Sequence, residues 1–165
     1  MSPFNIRPAA EKDVELIYGF ILQLAEYEKL ANEVVATREQ LRETLFSEKR
    51  YAEVIIAEYE NKPVGFALYF YNYSTFLAKP GLYLEDLFVI PEMRGKKIGK
   101  ALLSYLAQLA IENNCGRFEW WVLDWNQSAI DFYRSIGAKG MDEWTVQRVD
   151  GESLHKLAGE NVEVT

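Results

Sequence analysis

The chain has 165 residues, of which 49% are apolar and 14% aromatic, and a formal net charge of −7 at pH 7. This length and composition predict one globular domain over residues 1–165 and exclude an intrinsically disordered chain. The excess of acidic residues argues against nucleic acid as a partner, since phosphate binding needs a basic face.

Cysteine content and hydropathy indicate the compartment. Cys115 is the one cysteine, so no internal disulfide can form and a reducing environment is favoured. No apolar run approaches the eighteen residues of a membrane span, and no signal-peptide pattern opens the sequence. We therefore expect a cytoplasmic protein without a membrane partner.

The first half of the chain alternates short strands with amphipathic helices. Phe4–Arg7 is predicted to be a strand ending at Pro8, and apolar residues at helical spacing predict a helix from Glu11 to about Glu28. Thr37 and Gln40 match a capping box that starts a second helix.

The middle of the chain predicts a hairpin followed by a loop. Residues 52–59 and 64–73 have the composition of strands, and the turn residues at 60–63 join them. Residues 72–81 are predicted to form a loop.

The second half continues the alternation. The predicted elements are a strand over 83–90, a helix from 98 to at least 109, a strand over 117–123, a helix after Asn126 that Gly137 stops, one or two closing strands over 138–149, and a helical turn near 154–158. This order predicts an α/β (α+β) fold in which helices flank a mixed sheet.

A basic turn stands between the strand at 83–90 and the helix that follows it. Its residues are Arg94, Gly95, Lys96, Lys97, Ile98, Gly99 and Lys100. The N–H groups of a helix's first turn have no intrahelical partner, and the helix dipole favours negative charge there. The turn therefore predicts an anion site. It matches neither G-x-x-x-x-G-K-[ST] nor G-x-G-x-x-G, so neither a P-loop nor a dinucleotide fingerprint is indicated.

The turn resembles the acetyl-CoA pyrophosphate loop of the GNAT acyltransferases, [QR]-x-x-G-x-[GA], with Lys97 in place of the central glycine. The segments 6–9, 64–67, 83–89 and 126–133 also resemble GNAT N-acetyltransferases and occur in the same order. Tyr-Leu-Glu-Asp at 83–86 and Asn-x-x-Ala-Ile-x-Phe-Tyr at 126–133 narrow the resemblance to the spermidine/spermine (diamine) and thialysine acetyltransferases.

The resemblance covers nearly the whole chain. It implies the GNAT fold, with a mostly antiparallel sheet of about six to seven strands. It also implies a homodimer, acetyl-CoA as donor and the primary amine of a small cationic molecule as acceptor. No metal is expected, and His155, the one histidine, lies in a polar tail where we expect it at the surface.

The same resemblance assigns roles to individual residues. Glu85 would take the proton of the attacking amine and Tyr133 would protonate the departing thiolate. The implied cofactor contacts are Leu87, Phe88, Val89, Arg94, Gly95, Lys96, Lys97, Ile98, Gly99, Lys100 and Asn126. The implied amine contacts are Tyr27, Glu28, Glu85, Glu119 and Trp120.

Several alternatives stay open at this point. Glu85 could be a structural carboxylate, and Asp86 should face the other side of the sheet unless a bulge intervenes. Residues 72–81 lack the acidic and tryptophan residues of the polyamine enzymes, so thialysine-like and other small amines compete with spermidine as acceptor. A CoA-binding sensor and a protein-lysine acetyltransferase are the other two functional hypotheses.

Overall fold

A sheet of five strands organises the fold, as seen in a computed structural model that describes residues 2–165. The strands lie side by side in chain order, the first four antiparallel and the fifth parallel to the fourth. Their bounds are β1 Phe4–Pro8, β2 Glu53–Tyr59, β3 Lys62–Ser74, β4 Lys79–Val89 and β5 Arg117–Trp120.

Five α-helices accompany these strands in the described chain. They are α1 Val14–Tyr27, α2 Arg38–Phe46, α3 Ile98–Glu112, α4 Gln127–Ser135 and α5 Gly151–Ala158, with short 3₁₀ turns at Glu11–Asp13, Ala31–Glu33 and Pro91–Met93. The capping box is confirmed, because the Thr37 side chain accepts a hydrogen bond from the Gln40 amide and Gln40 Oε1 accepts one from the Thr37 amide.

The predicted mixed α/β architecture is confirmed, with five strands rather than six to seven. The chain forms two compact units, one ending at Leu123 and one spanning Asp124–Thr165. The first unit holds the whole sheet with α1, α2 and α3, and the second holds α4 and α5. A single domain over residues 1–165 stays a prediction.

Two sequence predictions about secondary structure are wrong. Most of the predicted loop at 72–81 is strand, because β3 and β4 stay paired from Tyr71 and Leu82 out to Ser74 and Lys79. The segment belongs to a hairpin in which only residues 75–78 connect the two strands. The predicted closing strands at 138–149 are absent, since no strand of the described chain pairs with this segment.

Aromatic packing fixes α1 against one face of the sheet. Phe20 of α1 stacks on Phe66 of β3 with ring centroids 5.4 Å apart and lies 6.0 Å from the ring of Phe88 of β4. All three side chains are buried, and burying a phenylalanine contributes roughly 1.5–3 kcal/mol. The packing therefore sets the position of α1 relative to β4.

An ion pair holds the beginning of α1. Arg7 of β1 donates to both carboxylate oxygens of Asp13, at 2.8 and 3.0 Å, and the Ala10 amide also donates to Asp13. These bonds, the Arg7 bond foremost, keep the pKa of Asp13 below its usual value although burial opposes the shift. Across residues 2–165, none of the helices has the length and apolarity needed to span a membrane.

Candidate active site

A β-bulge in β4 decides which way the acidic pair Glu85–Asp86 faces. Leu68 of β3 pairs with Asp86, whereas the next residue, Tyr69, pairs with Leu84. Glu85 is therefore the extra residue of the bulge. Residues opposite one another across antiparallel strands share a face, so Asp86 lies on the face of Leu68, which packs against the core beneath α1. The bulge that sequence reasoning left open is present.

Three carboxylates meet beside the bulge at the end of α1. We call Glu28, Glu85 and Asp86 the carboxylate cluster. Burial, followed by the charges of Glu85 and Glu28, raises the pKa of Asp86 to about 6. Burial and then the Glu85 charge also raise the pKa of Glu28. Glu85 itself is exposed, so the cluster opens to solvent at that carboxylate.

Aromatic side chains border the cluster. Tyr83 pairs with Phe70, two residues beyond Leu68, so it shares the cluster's face, and the two rings lie 4.9 Å apart. Trp121 meets the Tyr83 ring edge-on at 5.9 Å and is largely exposed. Burial and then the charges of Glu85, Glu119 and Asp86 raise the pKa of the Tyr83 phenol. The face thus combines carboxylates with π surfaces, both of which attract a cationic amine.

Strand β5 separates two of the predicted amine contacts. Glu119 pairs with Tyr83 and lies on the cluster's face, where its carboxylate is 2.8 Å from the Arg117 guanidinium. Trp120 pairs with Leu84, which puts it on the opposite face, beside Phe118 at 4.9 Å. The structure therefore groups Glu119, and not Trp120, with the carboxylate cluster.

The outer edge of β4 is open next to the cluster. Strand β5 pairs with β4 only from Gly81 to Leu84, and no strand of the described chain lies along that edge from Glu85 to Val89. An unpaired strand edge presents backbone N–H and C=O groups to an extended ligand. Leu87, Phe88 and Val89, the predicted backbone contacts, all lie on this segment.

The basic turn begins α3 with a left-handed backbone. Lys97 is the N-cap of α3 and has φ 65° and ψ 19°, in the left-handed region, and Gly95 has φ 86°. Lys97 thus keeps the conformation that a glycine would adopt without strain. Neither a capping side chain nor an acidic residue occupies the first turn of α3. The amides of Ile98, Gly99 and Lys100 are therefore oriented as an anion site requires.

The first basic residue of the turn packs on aromatic rings. The Arg94 guanidinium lies over Tyr27, 5.0 Å from the ring centroid, and over Phe88 at 5.6 Å, and its Nε donates to the Val89 carbonyl at 3.2 Å. Lys96 lies instead over Tyr59 of β2, at 5.5 Å.

The glycine at the first turn of α3 has room beside it. A Cβ added to Gly99 would meet only Leu87 Cδ2, at 3.8 Å, which is ordinary contact. The protein's own packing therefore does not require a glycine at this position. Close approach of a ligand backbone or phosphate is a physical reason for one.

The second unit carries the other two predicted site residues on one helix. Asn126 is the N-cap of α4, and its Oδ1 accepts from the Ala129 amide at 3.4 Å. Tyr133 is partly buried on α4, with its ring 5.8 Å from that of Phe132.

Sequence reasoning missed Asp86, Tyr83 and Trp121 as members of the site. The adjacent acids Glu85 and Asp86 were a signal, but strand alternation puts neighbours on opposite faces and only the bulge overrides it. Within residues 2–165, no group of three or more His, Cys, Asp or Glu side chains is arranged to hold a metal ion.

Known proteins resemble this chain along most of its length. Residues 21–138 match the model of the acetyltransferase (GNAT) family. A thialysine N-epsilon-acetyltransferase of Sus scrofa is 38% identical over 96% of this chain and 99% of its own length. The L-ornithine N5-acetyltransferase of Arabidopsis thaliana is 32% identical over 96% of this chain and 89% of its own.

A solved structure gives the same result. An integron cassette protein of V. cholerae superimposes with a TM-score of 0.81 at 32% identity, covering 97% of this chain and 100% of its own. The similarity therefore extends over both units of the chain.

Proposed function

This chain belongs to the acetyltransferase (GNAT) family and is an N-acetyltransferase, and from that premise we propose that it transfers the acetyl group of acetyl-CoA directly to the primary amine of a small cationic molecule. Thialysine and ornithine, the amines in the names of its relatives, are the best candidate acceptors. The observation that carries the proposal is the group of three carboxylates at the bulge, beside an open strand edge.

The cofactor site of this proposal is the basic turn with the open edge of β4. The first-turn amides of α3 and the charges of Arg94, Lys96, Lys97 and Lys100 would hold the pyrophosphate. Lys97 fits this role because its backbone already has the left-handed conformation that the family's glycine would adopt. Backbone groups of Leu87, Phe88 and Val89 would bind the pantetheine arm, as would the Asn126 side-chain amide. Acetyl-CoA supplies the activated acetyl group as a thioester.

The amine site is the carboxylate cluster with its aromatic border. Aliphatic amines are mostly protonated at neutral pH, and Glu28, Glu85, Asp86 and Glu119 would attract the cation. The pKa of Asp86, about 6, leaves that carboxylate largely ionised at pH 7 and above. The exposed Glu85 would take the amine's proton, directly or through water, and so free the nitrogen lone pair for attack.

The remaining proton transfer belongs to Tyr133. As the new C–N bond forms and the C–S bond breaks, the negative charge moves from the carbonyl oxygen to the sulfur. Backbone N–H groups on the open edge of β4 would stabilise the oxygen, and the Tyr133 hydroxyl would donate its proton to the sulfur. The protonated amine loses one proton before attack and a second as the C–S bond breaks. One proton is gained by the thiolate and the other passes to solvent, so the products are an acetamide, free CoA and one proton.

The side chains around the carboxylate cluster also bear on which amine is the acceptor. Residues 75–78 form only a short hairpin connection, and residues 72–81 lack the acidic and tryptophan side chains of the polyamine enzymes. Carboxylates nevertheless surround the amine position. This combination favours a short amino acid with a terminal amine over a long polyamine such as spermidine.

We also propose a cytoplasmic homodimer. The second unit exposes large apolar side chains, including Trp144 (78% exposed), Val146 (56%) and Leu157 (58%). Burial of such a surface between two copies would remove it from water. Light scattering tests the dimer, and Trp144→Lys should shift the protein towards monomer if this surface forms the interface.

Thiol release from acetyl-CoA tests the proposed activity with a panel of thialysine, ornithine, diaminobutane, spermidine and a lysine-bearing peptide. We expect thialysine or ornithine to give the highest kcat/KM. Tight acetyl-CoA binding without thiol release for any amine would replace the enzyme with a CoA-binding sensor. Activity on the peptide alone would replace the small-amine acceptor with protein lysine.

A further inference from the structure

One arginine touches both regions that the proposed function assigns to different ligands. Arg94 opens the basic turn, which would hold the pyrophosphate. Its guanidinium lies over Tyr27, the last residue of α1, at 5.0 Å. Glu28, a member of the carboxylate cluster, is the next residue and the C-cap of α1. The end of the helix that would contact the amine therefore rests on a side chain of the cofactor turn.

The hydrogen bond of Arg94 uses one of its N–H donors. Its Cζ lies over the rings of Tyr27 and Phe88, and Nε donates to the Val89 carbonyl. A guanidinium has five N–H donors in one plane. The four on the terminal nitrogens can bind a phosphate while the contact with the rings continues. Phosphate binding and contact with Tyr27 are therefore compatible.

Lys96 provides an internal comparison. It belongs to the same turn and carries the same charge, but its ammonium lies over Tyr59 of β2. Loss of its charge would weaken phosphate binding without touching the contact between Arg94 and α1. Loss of Arg94 would affect both.

We propose that Arg94 is a positioning residue that couples cofactor binding to amine binding through its cation–π contact with Tyr27. A bound pyrophosphate would order the guanidinium and exclude water from its terminal nitrogens. A cation–π contact strengthens when it is desolvated, so Tyr27 and Glu28 would be held more firmly in the amine-binding position. Coupling between two binding equilibria is reciprocal, so a bound amine would also tighten cofactor binding. This inference rests on the proposed function.

Calorimetry of the ternary complex tests the coupling. The affinity for thialysine is measured without and with saturating CoA, which has no acetyl group to transfer, and the ratio of the two dissociation constants is the coupling factor. For the unmodified protein we expect a factor of about two to five, the size of one cation–π contact at an exposed site. Arg94→Lys keeps the charge but loses the planar guanidinium, and its factor should fall below that of the unmodified protein.

Tyr27→Leu removes the ring and should give a factor of one, and Arg94→Lys in that background should cause no further change in the factor. Lys96→Met should weaken CoA binding and retain the full factor. In steady-state kinetics, Arg94→Lys should raise KM for the amine at saturating acetyl-CoA by a larger factor than it lowers kcat.

Three results would overturn the inference. A factor of one in the unmodified protein, with CoA and thialysine each binding, would mean that the ligands bind independently, and the proposed function would stand. The full factor in Arg94→Lys would place the coupling elsewhere. Absence of CoA binding to the unmodified protein would overturn the proposed function together with the inference.

Discussion

The carboxylate cluster and the basic turn both include residues from the segment 85–100, yet the turn depends on neighbouring residues and the cluster depends on tertiary contacts. The basic turn is local: its charges, its left-handed residues Gly95 and Lys97 and the start of α3 all fall within seven consecutive residues. The cluster is not local, because Glu28 and Asp86 meet only through the packing of α1 on the sheet, and Glu85 joins them at the bulge in β4. The proposed anion site needs only a helix start, whereas the proposed cation site needs carboxylates that are far apart in the sequence.

Tyr133 lies in neither region, and its substitution has the largest expected effect on activity. Tyr133→Phe retains the ring and its packing on Phe132 but removes the proposed general acid. We expect turnover to fall by roughly 10²–10⁴-fold, with little change in acetyl-CoA affinity or melting temperature. Stopped-flow thiol detection measures turnover, and calorimetry measures acetyl-CoA affinity and the melting temperature. Full turnover in a stable variant would mean that another group protonates the sulfur.

Glu85→Gln probes the cluster at its exposed member. We expect a loss of about 10²-fold near neutral pH and partial recovery at high pH, where the free amine is abundant without a base. Glu119→Gln is the matched control, because it removes one charge from the same face and should show a smaller loss without that recovery. If Glu85→Gln has the pH profile and rate of the unmodified enzyme, Glu85 is a structural carboxylate.

Substitution of Gly99 probes the basic turn. Gly99→Asp should weaken acetyl-CoA binding by roughly tenfold or more, since like charges about 4 Å apart near a protein surface repel by a few kcal/mol. Gly99→Ala is the control for size alone. Its Cβ fits beside Leu87, so the fold should persist and the loss of affinity should be smaller. Equal acetyl-CoA affinity of the unmodified protein and both variants in calorimetry would mean that the phosphate does not bind at this turn.

Asp86→Asn tests how much the ionised Asp86 carboxylate lowers the free energy of unfolding. Burial and the charges of Glu85 and Glu28 raise the pKa of Asp86 to about 6 in the folded protein, compared with 3.8 for an ordinary aspartate. The ionised carboxylate is therefore disfavoured by folding, so the free energy of unfolding falls as the pH rises from about 4 to about 6 and stays lower above. The uncharged asparagine avoids this loss.

We expect Asp86→Asn to be more stable than the unmodified protein by about 1–2 kcal/mol at pH 8 and equally stable below pH 4. Urea denaturation at the two pH values checks the difference. If the difference in the free energy of unfolding is the same at both pH values, packing rather than the charge of Asp86 causes it. The same variant should raise KM for the amine, since stability gained at a binding site commonly costs function.

Lys97→Gly gives the smallest expected effect and probes strain in the basic turn. A left-handed backbone costs a lysine roughly 1–2 kcal/mol, and part of the gain from glycine is lost to its greater freedom in the unfolded chain. We therefore expect a gain of about 0.5 kcal/mol in the free energy of unfolding. Lys100→Gly, within α3, should instead lose stability. If both variants lose stability equally, Lys97 is not strained.

The sequence by itself determined the elements whose signals are local. The apolar spacing of α1 and α3, the capping box at Thr37, the basic turn and the stop of α4 at Gly137 each depend on a few neighbouring residues, and each lies where it was predicted. The family motifs were also readable, because Arg94 to Gly99 and Asn126 to Tyr133 are contiguous.

Only the tertiary structure decided the features that depend on strand partners. Pairing partners made most of the predicted loop at 72–81 a hairpin and left the strand-like segment 138–149 unpaired. The bulge left Glu85 without a partner beside Asp86, and the register of β5 put Glu119 and Trp120 on opposite faces. Strand register and bulges are set by contacts between residues far apart in the chain, and a one-residue shift reverses every side chain that follows.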